Sequence, residues 1–399
     1  MQLKFPQRLH LGRTLDAFLP LFAVLLALFI GGFMILLMEA SPLDAYRALW
    51  EGAFGTKNAV ADTLVKATPL LLVGIGICIS FRGGVVNIGG EGQMIAGGLA
   101  AVAIGLEYKE SDPTTVIVAC LVASFVAGAI WGGIAGVLKA YFSVNEILST
   151  IMLNQIATFG MMYLVRSEFI DPRQKSAAAP IPETERLPRS LDLPRIGGAL
   201  DDLYDFLGLS TPDANQWTTT MLHNGIIIAF VLAIVVYILL WRTTVGYRIR
   251  AVGINPRASR YAGIKVKQYT VLALMLSGGF AGLAGGIQLL GVRHRMNAEG
   301  GAIAFTGNAG FNGIVAALFG GLHPLGTIPA SILFGALLVG GNKLQRSVQV
   351  PSALITALIG LVIVFVVASD VFVRRRSRRR VVVAVSGASA EAAEVRAGP

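Results

Sequence analysis

Residues 81–98 read FRGGVVNIGGEGQMIAGG, and this stretch determines how the rest of the chain is interpreted. Its flanks have the apolar character of a membrane span, but Asn87, Glu91, Gln93 and several glycines interrupt it. A carboxylate or an unpaired backbone group at membrane depth is tolerated only where protein or a water-filled cavity surrounds it. The stretch therefore predicts a broken segment that lines a translocation path.

The composition is that of a polytopic membrane protein. Hydrophobic residues make up 54% of the 399 residues and charged residues only 14%, whereas a soluble domain carries about 25% charge. Apolar runs recur along the chain, and a run of roughly 20 residues crosses a hydrocarbon core of about 30 Å as a helix. The alternation typical of a membrane β-barrel does not occur, so we expect an all-α fold.

The positive charge of the chain is concentrated in two segments. The formal net charge is +10; residues 242–267 hold seven Lys or Arg and no acid, and residues 374–380 hold six Arg and no acid. Basic residues collect at the cytoplasmic ends of membrane spans. We therefore expect this basicity to set the membrane orientation, and we expect no nucleic-acid partner.

Placing both basic segments in the cytoplasm sets the predicted topology. It requires about ten transmembrane helices with both termini cytoplasmic. The expected organisation is a cytoplasmic leader at 1–16, a transmembrane domain at 17–373 and a basic, disordered cytoplasmic tail at 374–399. Within the domain we expect an external loop or small cap at 166–220 and a cytoplasmic loop at 242–267.

Two apolar segments are predicted to be short or broken. Residues 94–106 are too short to cross the membrane unless part of 84–93 adds length, and residues 302–322 contain Asn308 and Asn312 among several glycines. The two segments occupy comparable places in the two halves of the chain. Discontinuous helices placed in this way indicate the central site of a transporter.

The polar residues of these segments are the candidates for the solute pathway. An amide both donates and accepts hydrogen bonds, so it can bind polar groups of a solute in either sense. The candidate amides are Asn87, Gln93, Asn308 and Asn312. Glu91 has two interpretations: it accepts hydrogen bonds from unwound backbone amides and braces the break, or it faces the solute. We favour the bracing role.

The cytoplasmic loop carries the sequence VGINPRASRYAGIKV at 252–266. Asn255 suits a helix N-cap, Pro256 the first helical position and Gly263 the C-terminal stop, which together predict a helix of about two turns. Its basic residues are compatible with a helix that lies on anionic lipid. Its small residues are compatible with a helix that docks into a soluble partner.

At two motifs the chain resembles a known family, the permease subunits of bacterial ATP-binding-cassette importers for sugars, branched-chain amino acids and nucleosides. RAVGINPRASRYAGI at 250–264 resembles the cytoplasmic coupling loop of that family, with Ser259 where an alanine is common. NIGGEGQ at 87–93 is similar to the NIG-x-EGQ form of the nucleoside-type members. The resemblance covers about residues 15–373.

The resemblance implies a role for each matching residue. Asn87, Glu91 and Gln93 would belong to the broken segment near the pathway. The loop residues that would contact the ATPase are Arg250, Gly253, Asn255, Ala258 and Gly263. The implied partners are an ATPase subunit, a second permease subunit and an extracytoplasmic solute-binding protein, in a bacterial cytoplasmic membrane.

The motifs that the chain lacks narrow the function further. It has no GxxxxGK[ST] sequence, so we expect ATP to bind a separate subunit and this chain to bind no cofactor. His10, His223, His294 and His323 are scattered without a metal-binding pattern, which argues against an enzyme. The alternatives are a permease for sugars or branched-chain amino acids, or an ion-coupled secondary transporter; the latter needs titratable groups in its spans, and few occur beyond Glu91.

Overall fold

The computed structural model describes residues 25–175, 181–206, 217–349 and 351, with isolated positions between 357 and 368. The described regular structure is helical, apart from isolated β-bridges. The helices are α1 Leu25–Leu37, α2 Pro42–Phe54, α3 Lys57–Arg82, α4 Gly90–Glu107, α5 Pro113–Phe142, α6 Glu146–Arg166, α7 Pro172–Lys175, α8 Gly197–Phe206, α9 Gly225–Arg242, α10 Thr244–Ile254, α11 Pro256–Tyr261, α12 Val266–Gln288, α13 Gly301–Thr306, α14 Ala309–Phe319 and α15 Pro324–Val348.

The structure confirms an all-α, polytopic membrane protein. Six described helices are long and apolar enough to cross a membrane, namely α3, α5, α6, α9, α12 with its continuation to Arg293, and α15. Two shorter apolar helices, α1 and α14, accompany them. The leader, residues 17–24, most of residues 351–373 and the tail lie outside the described residues, so the count of ten remains a prediction.

The chain forms two compact units, one of residues 1–46 with 345–399 and one of residues 47–344. In the first unit the Tyr46 hydroxyl donates a hydrogen bond to the Leu28 carbonyl. In the second unit α3 and α12 are the most buried of the long apolar helices. All candidate site residues belong to this second unit.

Close backbone contact holds the centre of the second unit together. A Cβ atom placed on Gly128 of α5 would lie 2.3 Å from the Gly278 carbonyl oxygen of α12. A Cβ atom on Gly97 of α4 would lie 2.1 Å from the Gly282 carbonyl oxygen. Small residues allow helices to approach in this way, and membrane helices use them for packing in the absence of a hydrophobic driving force. The helix α4 is therefore fixed rigidly beside α5 and α12.

The two short segments are both interrupted, as predicted. The helix α4 begins at Gly90 and has 18 residues, so residues 90–93 add the length that residues 94–106 alone lack. Its first turn contains Glu91 and Gln93, whose polar side chains are buried against partners within the protein. The other segment divides into α13 and α14 at Gly307 and Asn308, which both have positive φ angles.

The loop at 242–267 contains two helices. The Asn255 side chain accepts hydrogen bonds from the Arg257 and Ala258 backbone N–H groups at 3.0 and 3.1 Å, and Gly263 has a φ of +77°. The predicted short helix and its cap are therefore confirmed. The preceding helix α10, capped by the Thr243 hydroxyl on the Gly246 N–H at 3.1 Å, was not predicted.

The segment at 166–220 folds, in its described part, as a small cap that pairs with the chain after α12. The Thr184 N–H donates to the Met296 carbonyl and the Leu187 N–H to the His294 carbonyl, each at 2.9 Å. Backbone pairing of this kind holds the cap against the end of α12. The external location of this cap remains a prediction.

Candidate functional site

The first feature of the candidate site is the meeting of the two broken segments at their helix starts. A Cβ atom on Gly90 would lie 3.0 Å from the Gly310 Cα atom, and one on Gly310 would lie 2.4 Å from the Glu91 nitrogen. Only glycine on both sides permits this approach. The start of α4 and the start of α14 therefore cross in backbone contact.

Glu91 links the two segments by hydrogen bonds. It is 3% exposed, and its carboxylate accepts from the Thr306 hydroxyl and from the Phe311 backbone N–H at 3.2 Å. Phe311 lies in the first turn of α14, where unpaired N–H groups and the helix dipole favour a negative charge. The geometry favours the interpretation of Glu91 as a brace, and the amides that it braces belong to the other segment.

Asn87 and Gln93 form a buried amide pair. The Asn87 side chain donates to Gln93 and accepts from it, both at 3.0 Å, and also donates to the Ser277 hydroxyl of α12 at 2.8 Å. Each amide is 1% exposed. Their hydrogen-bonding groups are thus used within the protein, and they fix the shape of the loop that enters α4.

Asn308 and Asn312 are placed differently from Asn87 and Gln93. Asn308 is exposed and Asn312 half-buried, and neither side chain has a hydrogen-bond partner among the described residues. Asn308 precedes the first residue of α14 in a left-handed conformation, and Asn312 lies in the first turn of this helix. Of the five predicted pathway residues, these two present free polar groups, while the other three hold the structure together.

The loop at 242–267 contacts the first broken segment directly. A Cβ atom on Gly253 would lie 2.1 Å from the Arg82 carbonyl oxygen and 2.7 Å from the Gly84 nitrogen. Gly84 itself has a φ of +75°, a conformation that favours glycine. Gly253 therefore packs against the turn that connects α3 to the loop before α4, within the chain and away from any partner.

The Trp241 ring lies close to this contact. The Arg82 and Arg250 guanidinium groups lie over the ring at 5.5 and 5.7 Å, and the His323 ring packs against it at a tilt of 47°, with the ring centroids 4.8 Å apart. The Arg82 guanidinium also donates to the Leu322 carbonyl at 3.1 Å. Burial and the neighbouring Arg82 charge lower the pKa of His323. Arg250 was predicted to contact the ATPase, and the structure gives it these contacts within the chain.

The remaining coupling residues are open to solvent. Asn255, Ala258 and Gly263 are exposed, and Ile254 and Tyr261 are 85% and 94% exposed. A groove of 340 Å³ runs between α10 and α11. Ile254 and Tyr261 were not singled out from the sequence, although large apolar side chains in a basic polar loop indicate a docking surface.

Asn154 and Gln155, in the middle of α6, were also missed. The Asn154 amide accepts from the Gly92 N–H and donates to the Ile88 carbonyl, both at 2.9 Å. Gln155 is exposed. The sequence signal was a pair of amides inside an otherwise apolar span. A polar side chain at membrane depth is energetically costly unless it forms hydrogen bonds within the protein or has a functional role.

Comparison with known proteins identifies similar chains. The profile of a family described as the permease component of branched-chain amino acid transport systems matches residues 59–367. The guanosine ABC transporter permease protein NupP of Bacillus subtilis is 34% identical over 88% of this chain and 92% of its own length. The glucose ABC transporter permease protein TsgB13 of Haloferax volcanii is 31% identical over 91% of each chain.

A third relative is similar over a comparable length. The nucleoside ABC transporter permease protein NupB of Lactococcus lactis is 27% identical over 89% of this chain and 92% of its own. No solved structure matches the chain. The similarity to these relatives thus includes both the broken segments and the coupling segment.

Proposed function

This chain belongs to the family of permease components of branched-chain amino acid transport systems, and we propose that it is the membrane-spanning subunit of an ATP-driven importer that takes up nucleosides. A permease component is a transport subunit and not an enzyme. ATP hydrolysis then occurs on a separate ATPase subunit, and this chain converts the ATPase cycle into movement of its helices.

One observation supports the proposal: the exposed helix α11 directly follows α10, whose Gly253 lies in backbone contact with the turn at Gly84. The helix α11 presents Ala258 and Tyr261 to solvent, while Gly253, just before it, contacts Gly84 at the entrance to α4. A force applied to α11 by a partner therefore reaches the centre of the protein without an intervening flexible linker.

The contacts of α4 suggest how this force opens the pathway. Movement of α10 displaces the turn at Gly84, and the helix start at Gly90 crosses the start of α14. Glu91 joins both starts through Thr306 and Phe311. The two broken segments therefore move as one body, and alternating access follows when they rock against the surrounding helices.

The proposed solute class is supported by two sets of observations. The sequence at 87–93 resembles the nucleoside-type members, and two of the relatives above carry nucleoside or guanosine in their names. A sugar is the second candidate, because a relative of similar coverage is a glucose permease. Both solutes are neutral and rich in hydroxyl groups.

The proposed assembly contains further subunits. An ATPase would contact the 242–267 loop, a second permease subunit would complete the pathway, and a binding protein would deliver the solute on the other side of the membrane. We place the assembly in a bacterial cytoplasmic membrane.

The test is nucleoside-stimulated ATP hydrolysis by the purified chain assembled with its ATPase. Ala258→Trp places a large side chain on the exposed face of α11, and we expect it to abolish the stimulation while the chain stays folded. Gly160→Ala is the control, because a Cβ atom there meets nothing within 4 Å. Stimulation unchanged by Ala258→Trp would contradict the docking role of α11.

A further inference from the structure

A cavity of about 450 Å³ lies where α5 ends and α12 begins. Its walls are mostly apolar: Val137 of α5, Leu272 and Met275 of α12 and Val245 of α10 all contribute to them. The contacts that join the coupling helices to the broken segments do not involve these residues. The proposed transport mechanism therefore leaves this cavity without a role.

The cavity extends from the ends of the spans into their apolar part. Gln268 and Met275, which both line it, are seven residues apart in α12, or about 10 Å along the helix axis. On α5 the exposed apolar face continues from Val137 to Ile134 and Ile130. An exposed apolar face of a membrane helix is compatible with lipid tails, which are as apolar as the face itself. The cavity is therefore long and apolar enough to hold part of an acyl chain.

The other end of the cavity is polar and basic. Tyr141 and Tyr269 line it near the ends of the two spans, and tyrosine is enriched where a span meets the membrane–water interface. The Lys267 ammonium lies over the Tyr141 ring, 4.9 Å from its centroid. The Arg248 guanidinium lies over the Tyr269 ring at 5.8 Å and donates a hydrogen bond to its hydroxyl at 2.8 Å. Two tyrosines of one cavity thus each hold a cation.

The helices around the cavity supply no carboxylate to neutralise these cations. The helices α5, α10 and α12 contain no Asp or Glu. Glu146, the first acid after α5 in the chain, is paired with Lys139 at 2.7 Å. Arginine and lysine each have several N–H donors, so the bond to Tyr269 leaves Arg248 free to donate to an anion. Basic pockets between membrane helices attract anionic lipid headgroups.

We propose that this cavity binds an anionic phospholipid, with an acyl chain against Val137 and Met275 and the headgroup phosphate at Lys267 and Arg248. The apolar length of the cavity favours a lipid over free phosphate, which would use only the polar end. A lipid bound in this way contacts α5, α10 and α12 together. The proposal requires the membrane location of the spans and is independent of the transported solute.

The test is native mass spectrometry of the full chain in detergent, titrated with dioleoylphosphatidylglycerol or with dioleoylphosphatidylcholine. The two lipids have the same tails, and only the first carries a net charge. We expect one phosphatidylglycerol per chain to bind about tenfold more tightly than phosphatidylcholine. Lys267→Gln and Arg248→Gln should each weaken phosphatidylglycerol binding about fivefold, through loss of one basic residue at the headgroup. Lys265→Gln is the matched control, because Lys265 is an exposed cation two residues away.

A second pair of variants tests the apolar part of the cavity. Val137→Trp fills the space for the acyl chain and is expected to abolish binding of phosphatidylglycerol at this site. Val126→Trp makes the same change at another exposed position of α5, outside the cavity, and should leave binding unchanged. Lys267→Gln and Arg248→Gln alter exposed side chains, so they test the site even if Val137→Trp fails to fold.

Four results would overturn the proposal. The first is equal binding of the two lipids, and the second is an equal loss in Lys265→Gln and Lys267→Gln. The third is competition by glycerol phosphate at the same concentration as the lipid, which would show that only the phosphate is recognised. The fourth is loss of the lipid when the ATPase and the permease partner assemble with the chain, because a subunit would then cover the cavity.

Discussion

At the residue scale, the site depends on how a carboxylate is accommodated at membrane depth. Glu91 receives a hydroxyl from Thr306 and a backbone N–H from Phe311, both of the second broken segment. Without these donors a buried carboxylate would be strongly unfavourable. Its partners explain why a carboxylate at this position is compatible with a buried helix start.

Substitutions of Glu91 test this role. Glu91→Leu leaves the Phe311 N–H and the Thr306 hydroxyl without an acceptor, which costs about 1–3 kcal/mol of stability. Glu91→Gln keeps one acceptor oxygen and is expected to cost less. Thermal unfolding of the two variants in detergent should follow this order, and equal unfolding temperatures for Leu and Gln would show that the carboxyl group does not brace the break.

Asn308 makes a second prediction at this scale. Its left-handed conformation, with a φ of +61°, is one that an ordinary L-residue adopts at a cost of about 1–2 kcal/mol. We expect Asn308→Gly to unfold near the wild-type temperature and Asn308→Ala to unfold at a lower one. Both variants lose the amide, but only Asn308→Ala carries the cost of the left-handed backbone. Comparing their unfolding temperatures and their nucleoside uptake therefore separates the backbone cost from the loss of the amide.

The sequence predicted the polar residues of the site better than their roles. Asn87, Gln93, Asn308 and Asn312 are all amides in glycine-rich apolar surroundings, so composition alone could not distinguish them. The structure separates them because Asn87 and Gln93 bond each other. That reciprocal bond depends on the non-helical loop between α3 and α4, which no periodicity reveals.

At the element scale, the central relation is between the coupling helices and the start of α4. The contact of Gly253 with Gly84 joins two motifs that are far apart in the chain. Two glycines bring the backbones together, so any added side-chain atom separates the elements. In the proposed mechanism, this contact makes α10, the helix that the sequence did not predict, part of the route from the ATPase to α4.

Gly253→Ala tests the contact between these elements. The added methyl group would overlap the Arg82 carbonyl oxygen, and overpacking of this kind costs about 1–3 kcal/mol. We expect the assembly and its basal ATP hydrolysis to persist, while nucleoside uptake falls about tenfold or more. Gly160→Ala again serves as control. Wild-type uptake by Gly253→Ala would show that the transmission takes another route.

Local signals explain which helices the sequence predicted correctly. Asn255 and Pro256 define the start of α11 through capping, a rule that acts within a few residues. The sequence left the start of α4 open within residues 84–93, because the glycines at 89, 90 and 92 are poor helix formers. Tertiary contacts with Gly310 and Asn154 hold that turn in helical form.

At the scale of the whole molecule, composition and charge were sufficient to predict the class of protein. The apolar content and the two basic segments indicated a helical membrane protein, and the described helices agree with it. The crossing of the two broken segments was beyond prediction, because it depends on contacts such as Gly90 with Gly310 that join distant parts of the chain. This crossing joins the two separate segments in one backbone contact.

The central claim is that ATP on a separate subunit drives nucleoside uptake through this chain. The most direct measurement is uptake of labelled guanosine into proteoliposomes that contain the chain with its ATPase, permease partner and binding protein. We predict uptake only when ATP is supplied on the ATPase side, and none when Ala258→Trp blocks α11. Uptake of guanosine without the ATPase, driven by a proton or sodium gradient alone, would contradict the account.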